Sequence, residues 1–146
     1  MIYLDASYVA RLYLNDPGFE AVRELAGRDA VACCLHGQAE VIAAIRRKHR
    51  EGVFSATQYR QVLEQFDLDC AQDAFRWLPL SPAVTDRVRA VYQGLPPACF
   101  LRAADALHLA CAAENRFREI HSNDQRLLAA AGQFGLKGVN VIRAGA

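Results

Sequence analysis

Met1-Ile2-Tyr3-Leu4-Asp5-Ala6-Ser7 opens the chain with four apolar positions that stop on an acid. An apolar run this short reads as a buried strand, and Ser7 to Leu14 then suits one or two helical turns. The pattern repeats. Ala30 to Leu35 is a second run of strand length, followed by a helix from about Gly37 to Arg50, and Phe75 to Leu78 makes a third. Glu119 to His121 and Val139 to Ile142 supply a fourth and a fifth. Helical patterns cover 18–26 and 55–66, start with Ser81 as N-cap and Pro82 as N1, and run over 102–115 and over 125–134, ended by Gly135. Strands alternating with helices predict a three-layer α/β/α fold. Its mainly parallel sheet has about five short strands, near 1–4, 30–35, 75–78, 119–121 and 139–142. In such sheets the binding crevice lies beyond the carboxyl ends of the strands, where the topology changes direction.

Length and composition agree with this reading. The chain has 146 residues, 53% of them hydrophobic, enough for one domain over 1–146 with a core that needs no staple. Seventeen Lys and Arg against sixteen Asp and Glu leave a net charge of +1, so no global field draws in a polyanion and any nucleic-acid contact must be local. Arg outnumbers Lys fifteen to two, and Arg is the better fork for phosphate. The five cysteines, Cys33, Cys34, Cys70, Cys99 and Cys111, fall in no C-x-x-C spacing and read as buried thiols. No basic leader precedes an apolar stretch, and no apolar run reaches the roughly 18 residues that span a bilayer, so a cytoplasmic protein with no membrane contact is expected.

The acids sit where the crevice should be. Asp5 follows the first strand, Asp124 lies three residues past the fourth, and Glu40 falls in the first turns of the helix after the second. Asp105 lies on a largely apolar helix face, with Leu101, His108, Leu109 and Ala112 at its i−4, i+3, i+4 and i+7 positions. No cation is expected at helical spacing from it, and an isolated buried carboxylate costs several kcal/mol, so it takes a partner from elsewhere. His108 could form a local ion pair; alternatively, several acids share a divalent cation. Oxygen-only ligands without a Cys or His cluster favour Mg²⁺ or Mn²⁺. Each acid also has a simpler explanation: Asp5 and Asp124 as helix caps, Glu40 as a complement to the helix dipole.

Four stretches together resemble the PIN-domain ribonucleases of the VapC toxin type. They are Ile2-Tyr3-Leu4-Asp5-Ala6-Ser7, Glu40 on the helix after strand two, Leu101 to Ala110 around Asp105, and His121-Ser122-Asn123-Asp124 leading into an Ala-rich helix. The resemblance spans essentially the whole chain. It maps the family's acidic quartet to Asp5, Glu40, Asp105 and Asp124, with Ser7, Ser122 and Asn123 orienting the carboxylates. The chain departs from the family at His36, where Ser or Thr is common, and at Ser122, usually Thr.

The resemblance implies a metal-dependent endoribonuclease using Mg²⁺ or Mn²⁺. It would act as the toxin of a toxin–antitoxin pair, silenced by a cognate antitoxin and homodimeric by family habit. Its RNA substrate needs a basic surface, and Arg46, Arg47, Lys48 and Arg50 form the only dense basic run, which could equally be a solvated helix end. The four histidines show no ligand spacing, and Trp77, Phe75 and Tyr92 read as core. Two alternatives stay open: a catalytically silent PIN-like binding module, and a phosphoryl-transfer enzyme with an Asp nucleophile. The haloacid-type version of the latter wants a second Asp where Ser7 stands.

Overall fold

The computed structural model describes residues 1–144. Its five strands are β1 (Ile2–Tyr3), β2 (Val31–Cys34), β3 (Phe75–Leu78), β4 (Glu119–His121) and β5 (Lys137–Val139). All pairings are parallel: β1 with β2, β2 with β3, and β4 with β5. The two ladders are joined where Leu4 bridges His121 and the Asp5 N–H donates to the His121 carbonyl at 3.0 Å. The spatial order is therefore β3-β2-β1-β4-β5, and the direction of travel reverses between β1 and β4. That seam is the switch point at which open parallel sheets bind ligands.

Seven helices cover the sheet: α1 (Ala6–Ala10), α2 (Phe19–Ala26), α3 (Gly37–Arg50), α4 (Ala56–Ala71), α5 (Pro82–Gly94), α6 (Ala103–Glu114) and α7 (Gln125–Ala130). Alternation along β2 separates the two faces. Val31 and Cys33 pack with Val9, Val22, Val41, Ile45 and Phe66 on the side of α1 to α4, whereas Ala32 and Cys34 pack with Val84, Leu109 and Leu127 on the side of α5 to α7. Cys33, Cys34 and Cys111 are buried, while Cys70 and Cys99 are only partly so; none is in a disulfide.

Local chemistry accounts for the helix ends. Ser55 and Gln58 form a reciprocal capping box, and Ser81 caps α5 with Pro82 in the first turn. The helix expected over 125–134 tightens into a 3₁₀ turn at Ala131–Phe134, closed by Gly135 at φ +74°. The helix expected over 55–66 continues to Ala71.

The fifth strand is displaced from its expected place at 139–142. Lys137 N–H pairs with the Arg118 carbonyl and Ser122 N–H with that of Val139, after which the chain leaves the sheet. Its next donors go to Tyr8 and Asn140: Val141 N–H donates to Tyr8 Oη at 3.0 Å and Ile142 N–H to Asn140 Oδ1 at 2.9 Å. Val141 and Ile142 are apolar because they pack against the α1 to α4 core, not because they belong to the sheet.

The start of α3 is pressed against β2. A methyl group on Gly37 would come within 2.6 Å of Cys33 Sγ. Gly37→Ala should therefore destabilise the fold. Overpacking costs about 1–3 kcal/mol, more than the roughly 0.5–1 kcal/mol that Ala gains over Gly in a helix. Urea denaturation monitored by circular dichroism would show a lowered midpoint; an unchanged one would mean α3 moves freely on the sheet.

Candidate active site

Asp5 is placed by two elements at once. It ends β1 and caps α1 in extended conformation, with its side chain accepting from Tyr8 N–H at 3.0 Å through Oδ1. Ser7 Oγ donates to the same oxygen at 2.7 Å, and Ser122 Oγ donates to Oδ2. Ser122, fully buried after β4, also accepts from Asp124 N–H at 2.9 Å, so one hydroxyl links the two sides of the switch point. Ser7 Oγ lies 3.1 Å from Asn123 Oδ1, tying α1 to the loop after β4.

Asp124 divides its oxygens between two tasks. Oδ1 caps α7, accepting from Arg126 N–H at 2.8 Å and Leu127 N–H at 3.1 Å, while Oδ2 meets Arg102 Nη2 at 2.9 Å. Arg102 Nε also reaches Asp105 Oδ2 at 3.2 Å. Glu40, one turn into α3, places Oε1 2.7 Å from His108 Nε2 and 3.2 Å from His36 Nε2. His108 Nδ1 lies 2.8 Å from Tyr3 Oη, which in turn accepts from Cys34 N–H at 3.1 Å.

Asp5, Glu40, Asp105 and Asp124 thus line a single cleft of about 290 Å³, together with Ser7, Asn123, Arg102 and His108. The residues come from β1/α1, α3, α6 and the β4–α7 turn, at the carboxyl ends of the strands. Two of the carboxylates are strained electrostatically. Burial drives Asp5 above the ordinary Asp range, only partly offset by His108 and by hydrogen bonds from Ser122, Ser7 and the Tyr8 amide. Burial also raises Asp105, with Asp124 adding to the push and Arg102 opposing it. Burial pushes Glu40 upward too, but the His108 hydrogen bond and the nearby His108, His36 and Arg102 charges outweigh it and hold Glu40 low.

The donor set fits a hard divalent cation. Four carboxylates line one cleft and the direct partners of Asp5 are all neutral donors, although among the described residues no three of these acids bring oxygens within 4.8 Å of one another. Ser7 and Ser122 fix the carboxylate planes.

Several sequence expectations need correcting. Asp105 does have a cation at helical spacing, Arg102 at i−3, a neighbour on the same helix face. His108 does not pair locally with Asp105; it crosses to Glu40 on α3. The histidines are not scattered: His36, Glu40 and His108 bring one ligand atom each within 4.8 Å of one another. Residue types along α3 could have shown the i,i+4 pair, but the third member arrives only through tertiary packing. Tyr92 is 40% exposed instead of core, whereas Phe75 is buried.

The basic run lies at the far end of α3, about 10–15 Å along the helix axis from Glu40. Arg47 pairs with Glu51 at 2.9 Å, Lys48 with Asp16, and Arg46 lies 5.7 Å over the Tyr59 ring. Arg50 is exposed. Nearer the cleft, Phe100 is 56% exposed, with the Arg126 guanidinium 4.1 Å over its ring.

No helix of the described residues is long and apolar enough to cross a membrane. No curated protein sequence matches the chain at a significant level. Solved structures do match its fold. FitAcB from Neisseria gonorrhoeae aligns with TM-score 0.77 at 16% identity, covering 97% of this chain and 98% of that one. VapBC2 from Rickettsia felis, bound to a promoter DNA fragment, aligns with TM-score 0.66 at 17% identity over 96% and 98%. Mycobacterium tuberculosis VapC20, a sarcin–ricin loop cleaving toxin, aligns with TM-score 0.68 at 13% identity over 89% and 95%. At such identities the likeness concerns the fold alone. A PIN-domain model matches residues 2–133 of the sequence itself, and the chain belongs to the PIN-domain family.

Proposed function

We propose that the protein is a metal-dependent endoribonuclease that hydrolyses RNA phosphodiester bonds as the toxin of a toxin–antitoxin pair. The observation that carries this reading is the convergence of Asp5, Glu40, Asp105 and Asp124, from four separate segments, on the cleft at the switch point. Asp5 and Asp105 are assigned as direct ligands of Mg²⁺ or Mn²⁺, with Glu40 and Asp124 binding directly or through water. When bound, the ion supplies an acidified water in line with the leaving oxygen and screens charge on the scissile phosphate. The chain's own groups supply order. Ser122, Ser7 and Asn123 hold Asp5 and the β4–α7 turn, and Tyr3 holds His108 against Glu40. Attack by water leaves 5′-phosphate and 3′-hydroxyl ends.

Arg102 counters the charge of Asp105 and Asp124. Once a cation neutralises those acids, the guanidinium, more than half exposed, is free to take a phosphate oxygen. Arg46, Arg47, Lys48 and Arg50 are proposed as a more distant contact for the RNA backbone, although Glu51 and Asp16 neutralise part of that strip. A cognate antitoxin would silence the enzyme by covering the cleft in the cytoplasm, inserting an Arg among the same carboxylates, and the toxin would pair with a second copy of itself. A structure named as a toxin–antitoxin complex, from Klebsiella pneumoniae, shares the fold at TM-score 0.62 and 16% identity, which supports this reading.

The test is to purify the protein free of partners and incubate it with RNA in Mg²⁺ or Mn²⁺, and again with EDTA. Cleavage that requires the ion and leaves 5′-phosphate ends is expected. A protein that binds RNA but never cuts it would be the silent binding module; cleavage unaffected by EDTA would exclude the assignment.

The pKa directions predict how metal binding depends on pH. With Asp5 and Asp105 raised, the metal-free fold holds protons that the unfolded chain has already released, so its stability falls as pH rises from the ordinary Asp range through the raised values. Binding a divalent ion expels those protons. Mn²⁺ affinity should therefore weaken as pH falls through the raised values of Asp5 and Asp105. Calorimetry in two buffers of different ionisation enthalpy should report proton release; the absence of release would mean the ion avoids these two acids.

A further inference from the structure

We propose that His36, Glu40 and His108 form a second metal site, selective for Zn²⁺ or a chemically similar transition ion, beside the carboxylate cleft and sharing Glu40 with it. Both imidazoles present Nε2 to the same Glu40 oxygen, at 3.2 Å from His36 and 2.7 Å from His108, and their ring centroids are 4.2 Å apart. A tetrahedral ion with ligand bonds of about 2.0–2.1 Å holds its ligands roughly 3.4 Å from one another. The two His–Glu40 separations need only widen by some tenths of an ångström around such an ion. Glu40 and His108 also line the carboxylate cleft.

The chemistry of the three donors differs from that of the acid nest. Two imidazoles and one carboxylate suit Zn²⁺ and its neighbours, whereas Mg²⁺ shuns nitrogen. The supporting hydrogen bonds have the form of a built site. His108 is almost fully buried, and its far nitrogen is held by Tyr3 Oη, itself anchored by the Cys34 amide, so the ring cannot turn away. His36 is restrained by a 3.1 Å bond from Nε2 to the Ala104 carbonyl, while its Nδ1 is buried without a hydrogen-bond partner. Moving the proton from Nε2 to Nδ1 in both rings frees the two Nε2 lone pairs for the ion: His36 gives up its bond to Ala104, and His108 then donates from Nδ1 to Tyr3 Oη. The i,i+4 spacing of His36 and Glu40 on α3 keeps two of the ligands on one helix face.

Sharing Glu40 makes the two sites antagonistic. An ion on the imidazoles withdraws Glu40 from the acid nest, so Zn²⁺ should inhibit Mg²⁺-supported cleavage without displacing Mg²⁺ from Asp5. This consequence rests on the nuclease reading; the site itself does not.

Co²⁺ provides a probe independent of RNA cleavage. The full-length protein, held in excess Mg²⁺, is titrated with Co²⁺ and its visible d–d bands recorded, then back-titrated with Zn²⁺. One equivalent of Co²⁺ with the intense bands of four-coordination is expected, bleached by Zn²⁺. Since losing even a group that only orients a ligand costs 10–100-fold in affinity, His36→Ser should weaken Co²⁺ binding by at least about 100-fold. Asp5→Asn should leave the bands in place. Circular dichroism of each variant checks that it is folded. Weak octahedral bands, loss of the bands in Asp5→Asn but not in His36→Ser, or no Co²⁺ binding over Mg²⁺ would each overturn the site. If the bands follow His36 but RNA is never cleaved, the metal site stands and the nuclease reading fails.

Discussion

Asp5→Asn should lower RNA cleavage by at least about 10³-fold while the protein remains folded. A ligand that holds a catalytic cation contributes several kcal/mol of transition-state stabilisation, and each 1.36 kcal/mol is a factor of ten in rate. The substitution removes the charge and little else. Tyr8 N–H and Ser7 Oγ can still donate to the remaining oxygen, and Ser122 Oγ can accept from the new amide. The charge removed is one that burial already makes costly, so metal-free Asp5→Asn should melt no lower than the parent. Asp105→Asn should behave alike. Among the described residues its one ion pair is with Arg102, whose side chain is more than half exposed, and such pairs contribute little to stability. Single-turnover cleavage in saturating Mg²⁺, alongside thermal melts with and without the ion, checks both. Asn variants that cleave as fast as the parent would remove these acids from the mechanism; variants that fail to fold would show them to be structural.

This separation of charge from architecture explains what could be read in the chain before its structure. Strands β1 to β4 are visible as short apolar runs and the helices as apolar spacing or as cap signals, because these are set by neighbours along one element. The fifth strand slips by two to three residues because Val141 and Ile142 are as apolar as strand residues, yet they serve packing against α1 to α4 after the ladder has ended. The acids were legible as a set because each follows a strand or opens a helix. Arg102 was legible in principle, three residues before Asp105 on the same helix. The His36–Glu40–His108 group was not, since Glu40 and His108 lie 68 positions apart in the chain and only the fold brings them together. Spacing within an element foretells which side chains share a face; it says nothing about which face of another element they will meet.

Asp124 shows why a cap and a ligand need not compete. Its Oδ1 is committed to the Arg126 and Leu127 amides at the start of α7, and its Oδ2 faces Arg102 and the cleft. Two substitutions separate the roles. Asp124→Asn keeps an oxygen for the helix and loses the charge, so the melting temperature should hold while cleavage drops by about 10–100-fold, the size of loss seen when a group supporting a metal is removed. Asp124→Ala removes both oxygens, so cleavage should fall at least as far and the fold should lose about 0.5–2 kcal/mol, the usual value of an N-cap. Stability from urea denaturation set against the single-turnover rate distinguishes the outcomes. If Asp124→Asn cleaves as well as the parent and only Asp124→Ala suffers, Asp124 is a cap alone, and the charge at the seam is carried by Asp5, Glu40 and Asp105. If both variants lose cleavage but only the alanine loses stability, one carboxylate serves the helix with one oxygen and the ion with the other.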